Sequence, residues 1–161
     1  MVDKTEIVTA GQGQDALHCL TIPLTEDIIL LPNAAVSEIV AYIAPYPAEE
    51  TPDWLLGNIM WRDIQVPLVS FEAVGGKDVE TANKNSRIAV LNTLNGNAKV
   101  PYIGILSQGI PSIALIQEEG IEEQEDENNR ATVGAVVNVG GIEALIPNID
   151  ELEQLLESLN L

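Results

Sequence analysis

The sequence predicts a mainly β protein, a small β-barrel or a pair of packed barrels, with one short inner helix and one terminal helix. Many short apolar segments alternate with turns that contain glycine and asparagine. No long helices alternate with these segments, which disfavours Rossmann and TIM-barrel folds. Hydrophobic residues make up 46% of the 161 residues but aromatic residues only 4%, so aliphatic side chains must fill the core.

The chain is predicted to begin with a polar arm. Residues 1–15 are expected to be a flexible N-terminal arm, and residues 16–161 a single domain. The G-x-G-x-x-A spacing at residues 11–16 matches a dinucleotide-binding loop. No good strand precedes this segment and no helix follows it, so the nucleotide interpretation receives little weight.

The first strands follow the arm. Residues 16–24 and 28–31 are apolar segments that pair across a turn at 25–27. Residues 36–43 form a further strand, in which Glu38 interrupts the apolar run. A proline-rich acidic loop then leads to the stretch around which the chain is organised.

That central stretch spans residues 51–71 and is expected to open as a one-turn helix. Thr51 can cap the first amides, Pro52 fits the first helical position, and Gly57 can close the helix in a left-handed conformation. Alternating strand residues follow. Arg62 and Asp63 are a charged break between two strand segments, and such a pair must reach solvent or a partner.

The second half is predicted to contain two hairpins and a helix. Pro67 indicates an edge strand or a bulge, and a loop covers residues 72–86. The hairpins span residues 87–106 and 132–147, and a strand at 110–116 lies between them. Asn148 caps a terminal helix whose stripe of Leu152, Leu155, Leu156 and Leu159 has helical spacing.

The charge of the chain limits its partners. Lys+Arg number 7 and Asp+Glu 25, which gives a net charge of −18. This balance disfavours nucleic acids and anionic membranes and favours basic protein surfaces. Residues 118–127 carry a dense acidic run without the alternating ligand order of a calcium loop, so a solvated loop is expected there. A single cysteine, and no apolar run long enough to span a bilayer, favour a cytoplasmic location.

No arrangement of residues indicates catalysis. His18 and Cys19 are neighbours on one strand, so they face opposite sides and are not expected to form a metal or nucleophile site. No G-x-S-x-G elbow and no Walker loop occurs. The lack of these motifs shifts the weight of the interpretation towards a binding protein.

Three ordered blocks carry a resemblance to a known family. Residues 36–40 resemble a Val-x-Glu-Ile segment, and residues 57–69 resemble the pattern Gly-x-hydrophobic-Asn-Leu-Arg-Gly-x-x-x-Pro-x-hydrophobic. Residues 88–106 and the last hairpin with its Asp/Asn-Ile-x-x-Leu helix form the third block. In this order the blocks resemble the CheW-like family, the coupling proteins of bacterial chemosensory arrays.

Several residues depart from the pattern of the family. Met60 stands where the pattern has Asn, Trp61 where it has Leu, and Asp63 where it has Gly. Ser70 replaces a frequent Asp. The chain therefore resembles a divergent member, similar to the ChpC-type proteins of the system that controls type IV pili and twitching motility. Because Asp63 cannot adopt glycine-only conformations, a different turn geometry is expected there.

The resemblance implies a fold, partners and binding residues. It implies two packed SH3-like five-stranded β-barrel subdomains with no cofactor and no catalysis. It implies an adaptor between the regulatory domain of a CheA-type histidine kinase and the cytoplasmic tip of a methyl-accepting chemoreceptor. By position, Arg62 is the expected coupling residue, Val36 and Glu38 face the receptor, and Ile39 and Ile64 contact the kinase.

Alternatives remain open for these residues and for the function. Residues such as Ile39 and Ile64 are more often part of a core, and Arg62 is also compatible with an internal ion pair to Glu38 or Asp63. A second hypothesis is an acidic decoy or inhibitor that binds a basic protein surface through residues 118–127. A third, a carboxylate-based barrel enzyme, requires two close acids in a pocket, with the pKa of one of them raised.

Overall fold

The computed structural model describes residues 16–96 and 98–159. The expected arm at residues 1–15, and with it nearly all of the G-x-G-x-x-A segment, lies outside the described residues. In chain order the strands are β1 (Ala16–Pro23), β2 (Ile28–Pro32), β3 (Val36–Ala41), β4 (Leu55–Trp61), β5 (Ile64–Val69), β6 (Arg87–Asn92), β7 (Tyr102–Ser107), β8 (Ser112–Gln117), β9 (Ile121–Gln124), β10 (Val133–Val139) and β11 (Ile142–Pro147). The α-helices are α1 (Phe71–Val74) and α2 (Ile149–Glu157).

The strands form two sheets, which define two subdomains. The first subdomain is a six-stranded sheet in the order β8-β1-β2-β11-β10-β9, and the second is a five-stranded sheet in the order β3-β6-β7-β5-β4. The chain leaves the first sheet after β2 and returns to it at β8. The mainly β class with two subdomains is confirmed, although the first sheet has one strand more than the predicted five.

Among the residues that the structure describes, aliphatic side chains fill three cores. The largest lies between the subdomains and α2, where Ile29, Ile105 and Leu152 are fully buried. A second core around Ile88 fills the interior of the second subdomain, and a third core that contains Cys19 fills the interior of the first. Burying a large aliphatic side chain contributes about 1.5–3 kcal/mol, so the largest core holds the two sheets together.

The predicted helix at residues 51–57 is wrong, because β4 begins at Leu55. Pairings with distant residues override the local capping signals. Asn58 exchanges two backbone hydrogen bonds with Tyr46, and the Ser70 amide donates to the Trp54 carbonyl at 2.9 Å. The short inner helix is instead α1, which lies in the segment predicted to be a loop.

Arg62 and Asp63 are the turn of a tight hairpin rather than a break within strands. Trp61 pairs with Ile64, and the φ angles of the two turn residues are 49° and 63°. Two successive left-handed residues give a type I′ turn, whose twist matches that of the flanking strands. Aspartate is among the few non-glycine residues that adopt this conformation routinely, so Asp63 is accommodated here.

Pro67 lies in β5, which is an inner strand, so the edge alternative is wrong; the register shift in the β4–β5 ladder falls between Leu55 and Gly57 on β4. Asn58 uses its backbone groups to bond Tyr46, so its pairing with Pro67 across the β4–β5 ladder is a non-hydrogen-bonded one. The parallel ladder to β7 contains only Leu68 and Val69. The missing N–H of Pro67 therefore costs no ladder bond on either side.

The acidic run is only partly the solvated loop that the sequence predicts. Residues 121–124 form β9, an edge strand that pairs with β10, and their glutamates are exposed. Asp126 differs, because it accepts hydrogen bonds from the Arg130 backbone and guanidinium. These hydrogen bonds lower the pKa of Asp126 to about 2.

The remaining elements agree with the sequence. The β6–β7 and β10–β11 hairpins lie in the predicted segments. The Asn148 side chain accepts a hydrogen bond from the Glu151 amide at 3.1 Å and so caps α2. Leu152 and Leu156 of the predicted stripe are fully buried.

Candidate partner-binding site

The two edge strands of the second subdomain meet through side chains. β3 and β4 lie at opposite ends of the sheet order, yet the indole N–H of Trp61 on β4 donates to Glu38 Oε1 on β3 at 2.8 Å. The sheet must therefore curl until its edges touch. Trp61 is only 6% exposed, and the carboxylate of Glu38 satisfies its indole donor.

Arg62 adds a cation to the same contact. Its Nη2 donates to Glu38 Oε1 at 3.2 Å, and its guanidinium carbon lies 4.7 Å from the centroid of a Trp61 ring. The internal ion pair with Glu38 that the sequence left open is thus present. The Arg62 side chain nevertheless remains 66% exposed, so a partner can reach it.

Tyr102 also contacts the buried ring. The centroids of the Tyr102 and Trp61 rings are 4.8 Å apart in an edge-to-face arrangement. This geometry stabilises aromatic pairs. Glu38, Trp61, Arg62 and Tyr102 thus form one cluster, and the neighbouring side chain of Met60 is 52% exposed. Through Arg62 the cluster presents one cation on a chain of net charge −18.

The five residues predicted to bind partners do not share one face. A register shift between Val36 and Glu38 puts an extra residue into β3. Val36 and Ile39 consequently pack against the core between the subdomains, whereas Glu38 reaches Arg62. Ile64 packs against the interior of the second subdomain.

Sequence reasoning does not assign a role to Trp61 or Tyr102 in this cluster. Trp61 stands out only as a departure from the family pattern. Tyr102 comes from β7, and nothing in its local spacing indicates that its ring meets Trp61. A contact between residues about 40 positions apart depends on how the sheet curls, which local periodicity does not specify.

Replacing Glu38 by alanine should cost more stability than its surface position suggests. The Trp61 N–H would lose its acceptor while it remained buried, which costs about 1–3 kcal/mol. Urea unfolding followed by circular dichroism would measure this loss, with the exposed Glu143→Ala as the control. A Glu38→Ala variant as stable as that control would contradict the buried bond.

The described part of the chain lacks a metal-binding cluster and a helix that could span a membrane. Within residues 16–96 and 98–159, no group of three or more His, Cys, Asp or Glu side chains could hold a metal ion. His18 is exposed and Cys19 is buried, in agreement with their predicted opposite orientation. Among the same residues, no helix is both long enough and apolar enough to cross a bilayer.

Comparisons with known proteins agree with the fold. The family model described as "CheW-like domain" matches residues 18–157. No curated protein sequence matches significantly. The crystal structure of the scaffolding protein TtCheW from Thermoanaerobacter tengcongensis matches with a TM-score of 0.70 and 21% sequence identity, over 83% of this chain and 89% of that chain. At this identity the structural match shows a shared fold.

Proposed function

The chain belongs to the CheW-like domain family, and from that membership we propose that it is an adaptor between chemoreceptors and a CheA-type histidine kinase. Members of the family are scaffolds of chemosensory systems that perform no catalysis. The adaptor works in the cytoplasm, where it binds the regulatory domain of the kinase and the cytoplasmic tip of a receptor. Its pathway is the one that controls type IV pili and twitching motility, as in the ChpC-type proteins.

The exposed yet ordered guanidinium of Arg62 is the observation that supports this function best. Glu38 and the Trp61 ring fix its position, and most of the side chain is still open to solvent. A side chain that is ordered before binding loses less entropy when a partner engages it. Arginine beside aromatic residues is also typical of the side chains that dominate protein interfaces.

The other predicted residues take supporting roles in this proposal. Glu38 orients Arg62 and itself belongs to the receptor-facing surface. Val36 and Ile39 shape that surface through their packing against the core between the subdomains. Ile64, next to the turn, holds the hairpin against the interior of the second subdomain while the turn contacts the kinase.

Binding assays with purified partners test the proposal. The kinase regulatory domain and a receptor tip fragment would each be titrated against the full chain by isothermal calorimetry. Saturable binding to both is expected. A chain that folds, as judged by circular dichroism, and binds neither fragment would refute the adaptor function.

The exposed acidic run allows a test against the decoy hypothesis. Replacing Glu118, Glu119, Glu122 and Glu123 by glutamine removes four exposed charges and leaves the Asp126–Arg130 pair intact. The adaptor function predicts that the affinity for the kinase domain changes by less than about threefold, since rim charges contribute little. Loss of binding in this variant, together with strong salt dependence in the wild type, would favour the decoy.

A further inference from the structure

Two buried carboxylates hold one subdomain against the other. Glu72 and Glu80 lie in the segment that follows β5 in the second subdomain, and their exposed fractions are only 4% and 6%. Both accept hydrogen bonds from residues 25–27, the turn between β1 and β2 of the first subdomain. This set, Glu72, Glu80 and the turn at 25–27, is called the carboxylate latch below.

Glu72 binds the latter half of the turn. Its Oε2 accepts from the Glu26 amide at 2.6 Å and from the Asp27 amide at 2.7 Å. The turn is closed by its own bond from the Leu24 amide to the Asp27 carbonyl at 2.8 Å. A carboxylate that accepts two adjacent amides fixes the orientation of the turn as well as its distance.

Glu80 binds the start of the same turn. Its Oε2 accepts from the Thr25 amide at 3.2 Å and lies 3.4 Å from the Thr25 hydroxyl. Its Oε1 accepts from the Ser70 hydroxyl at 3.0 Å, and the Glu80 amide donates back to that hydroxyl oxygen. Ser70 is fully buried, so Glu80 is anchored from inside its own subdomain.

The nearby cations bind other acids. Lys77 donates to Asp27 at 2.9 Å and lies 3.4 Å from Glu26. Arg130 bonds Asp126 and lies 3.8 Å from Asp27. Among residues 16–96 and 98–159, no lysine, arginine or histidine lies within ion-pair distance of Glu72 or Glu80. Two buried acids thus share one turn without a cation of their own, and burial disfavours the charged form of such a group.

We propose that the carboxylate latch is operated by protons, so that protonation of Glu80 tightens the contact between the subdomains and its ionisation loosens it. A neutral Glu80 still accepts from Thr25 through one oxygen, and it no longer places a second buried negative charge beside Glu72. The two subdomains would therefore be coupled more rigidly under mildly acidic conditions.

The pKa of Glu80 is shifted in the direction that the proposal requires. Burial raises the pKa of Glu80, and the charge of Glu72 adds to this effect; the hydrogen bonds from the Ser70 hydroxyl and from the backbone of Thr25 and Glu72 oppose it without cancelling it. In an open latch the carboxyl is solvated and regains its ordinary pKa. The stability that Glu80 gives to the closed latch is thus fully present below that ordinary pKa and is lost as pH rises through the raised one.

Amide hydrogen exchange of the full chain, measured by NMR across mildly acidic to neutral pH, tests the latch. After correction for the intrinsic exchange rate, protection of the Thr25, Glu26 and Asp27 amides should fall as pH rises. The fall should be about tenfold for each unit by which the pKa of Glu80 is raised. Glu80→Gln keeps the shape without the titration and should show pH-independent protection, whereas the exposed Glu143→Gln should behave like the wild type.

A second measurement keeps the proposal testable even where Glu80→Gln fails to fold. Carboxyl carbon shifts in the wild type report the titration of Glu80 directly. A Glu80 that titrates at or below the range of exposed glutamates would overturn the proposal. So would protection of the turn that does not change with pH, or that changes equally in wild type and Glu80→Gln. The latch is a property of the free protein. A negative result for the latch would therefore not bear on the proposed binding partners.

Discussion

Replacing Arg62 by alanine should weaken binding to the kinase regulatory domain by about thirtyfold or more, since arginines that anchor interfaces contribute about 2 kcal/mol or more. Folding should change little. The Arg62 side chain is 66% exposed, and exposed ion pairs such as its bond to Glu38 contribute at most about 1 kcal/mol. Calorimetric titration gives the affinity, and urea unfolding gives the stability of the same preparation.

Two further substitutions separate charge from geometry. Lys84→Ala removes one exposed positive charge elsewhere on the chain and should leave binding almost unchanged. Arg62→Lys keeps the charge but loses the planar group that lies over Trp61, so we expect intermediate binding. Loss of binding and of stability in parallel in Arg62→Ala would assign this residue to structure instead of coupling.

Replacing Gly57 by alanine should cost about 3–5 kcal/mol, the largest stability effect that we expect from a single methyl group here. A Cβ at this position would lie 2.3 Å from the Tyr46 carbonyl oxygen and 2.8 Å from its carbon. The φ of 137° is also a conformation that side chains rarely adopt. The variant would have to separate the segment around Tyr46 from β4.

Two control glycines distinguish the clash from backbone strain. Gly76 has a φ of 102°, but a Cβ there would meet no atom within 4 Å, so Gly76→Ala should cost about 1–2 kcal/mol from strain alone. Gly120 has neither feature, and Gly120→Ala should stay within about 0.5 kcal/mol. Equal thermal stability of all three variants would contradict the close packing of Tyr46 on Gly57.

Local signals in the sequence predict most of the elements. The terminal helix carries its cap and its leucine stripe within twelve residues, and α2 forms where both indicate. The β10–β11 hairpin likewise depends on adjacent glycines at residues 140–141, whose φ angles are positive. The sequence is enough to predict an element when the residues that form its turn or cap are adjacent to it in the chain.

Prediction fails where distant pairing competes with a local signal. Thr51, Pro52 and Gly57 are good helix-boundary residues, but Thr51 donates to the Ala48 carbonyl and Gly57 is needed for the approach of Tyr46. In the sequence, Arg62 and Asp63 look like a charged break between two strand segments, because arginine is not a usual residue of a type I′ turn. The local patterns are present, and tertiary contacts select another conformation.

The candidate site can be predicted only in part for a related reason. The pairing of Arg62 with Glu38 is one of two alternatives that charge alone allows. The role of Trp61 is not predictable, because it depends on the meeting of two strands from opposite edges of a sheet. The sequence position identifies Arg62 as the exposed residue. Glu38 and Trp61, which contact its side chain, come together only because the sheet curls.

Bridging of receptor and kinase tests the adaptor function most directly. A receptor tip fragment would be immobilised and incubated with the kinase, with or without the full chain. We expect the kinase to be retained only when the wild-type chain is present, and retention to fall sharply with Arg62→Ala. Kinase retention that is the same with and without the chain would contradict the adaptor function.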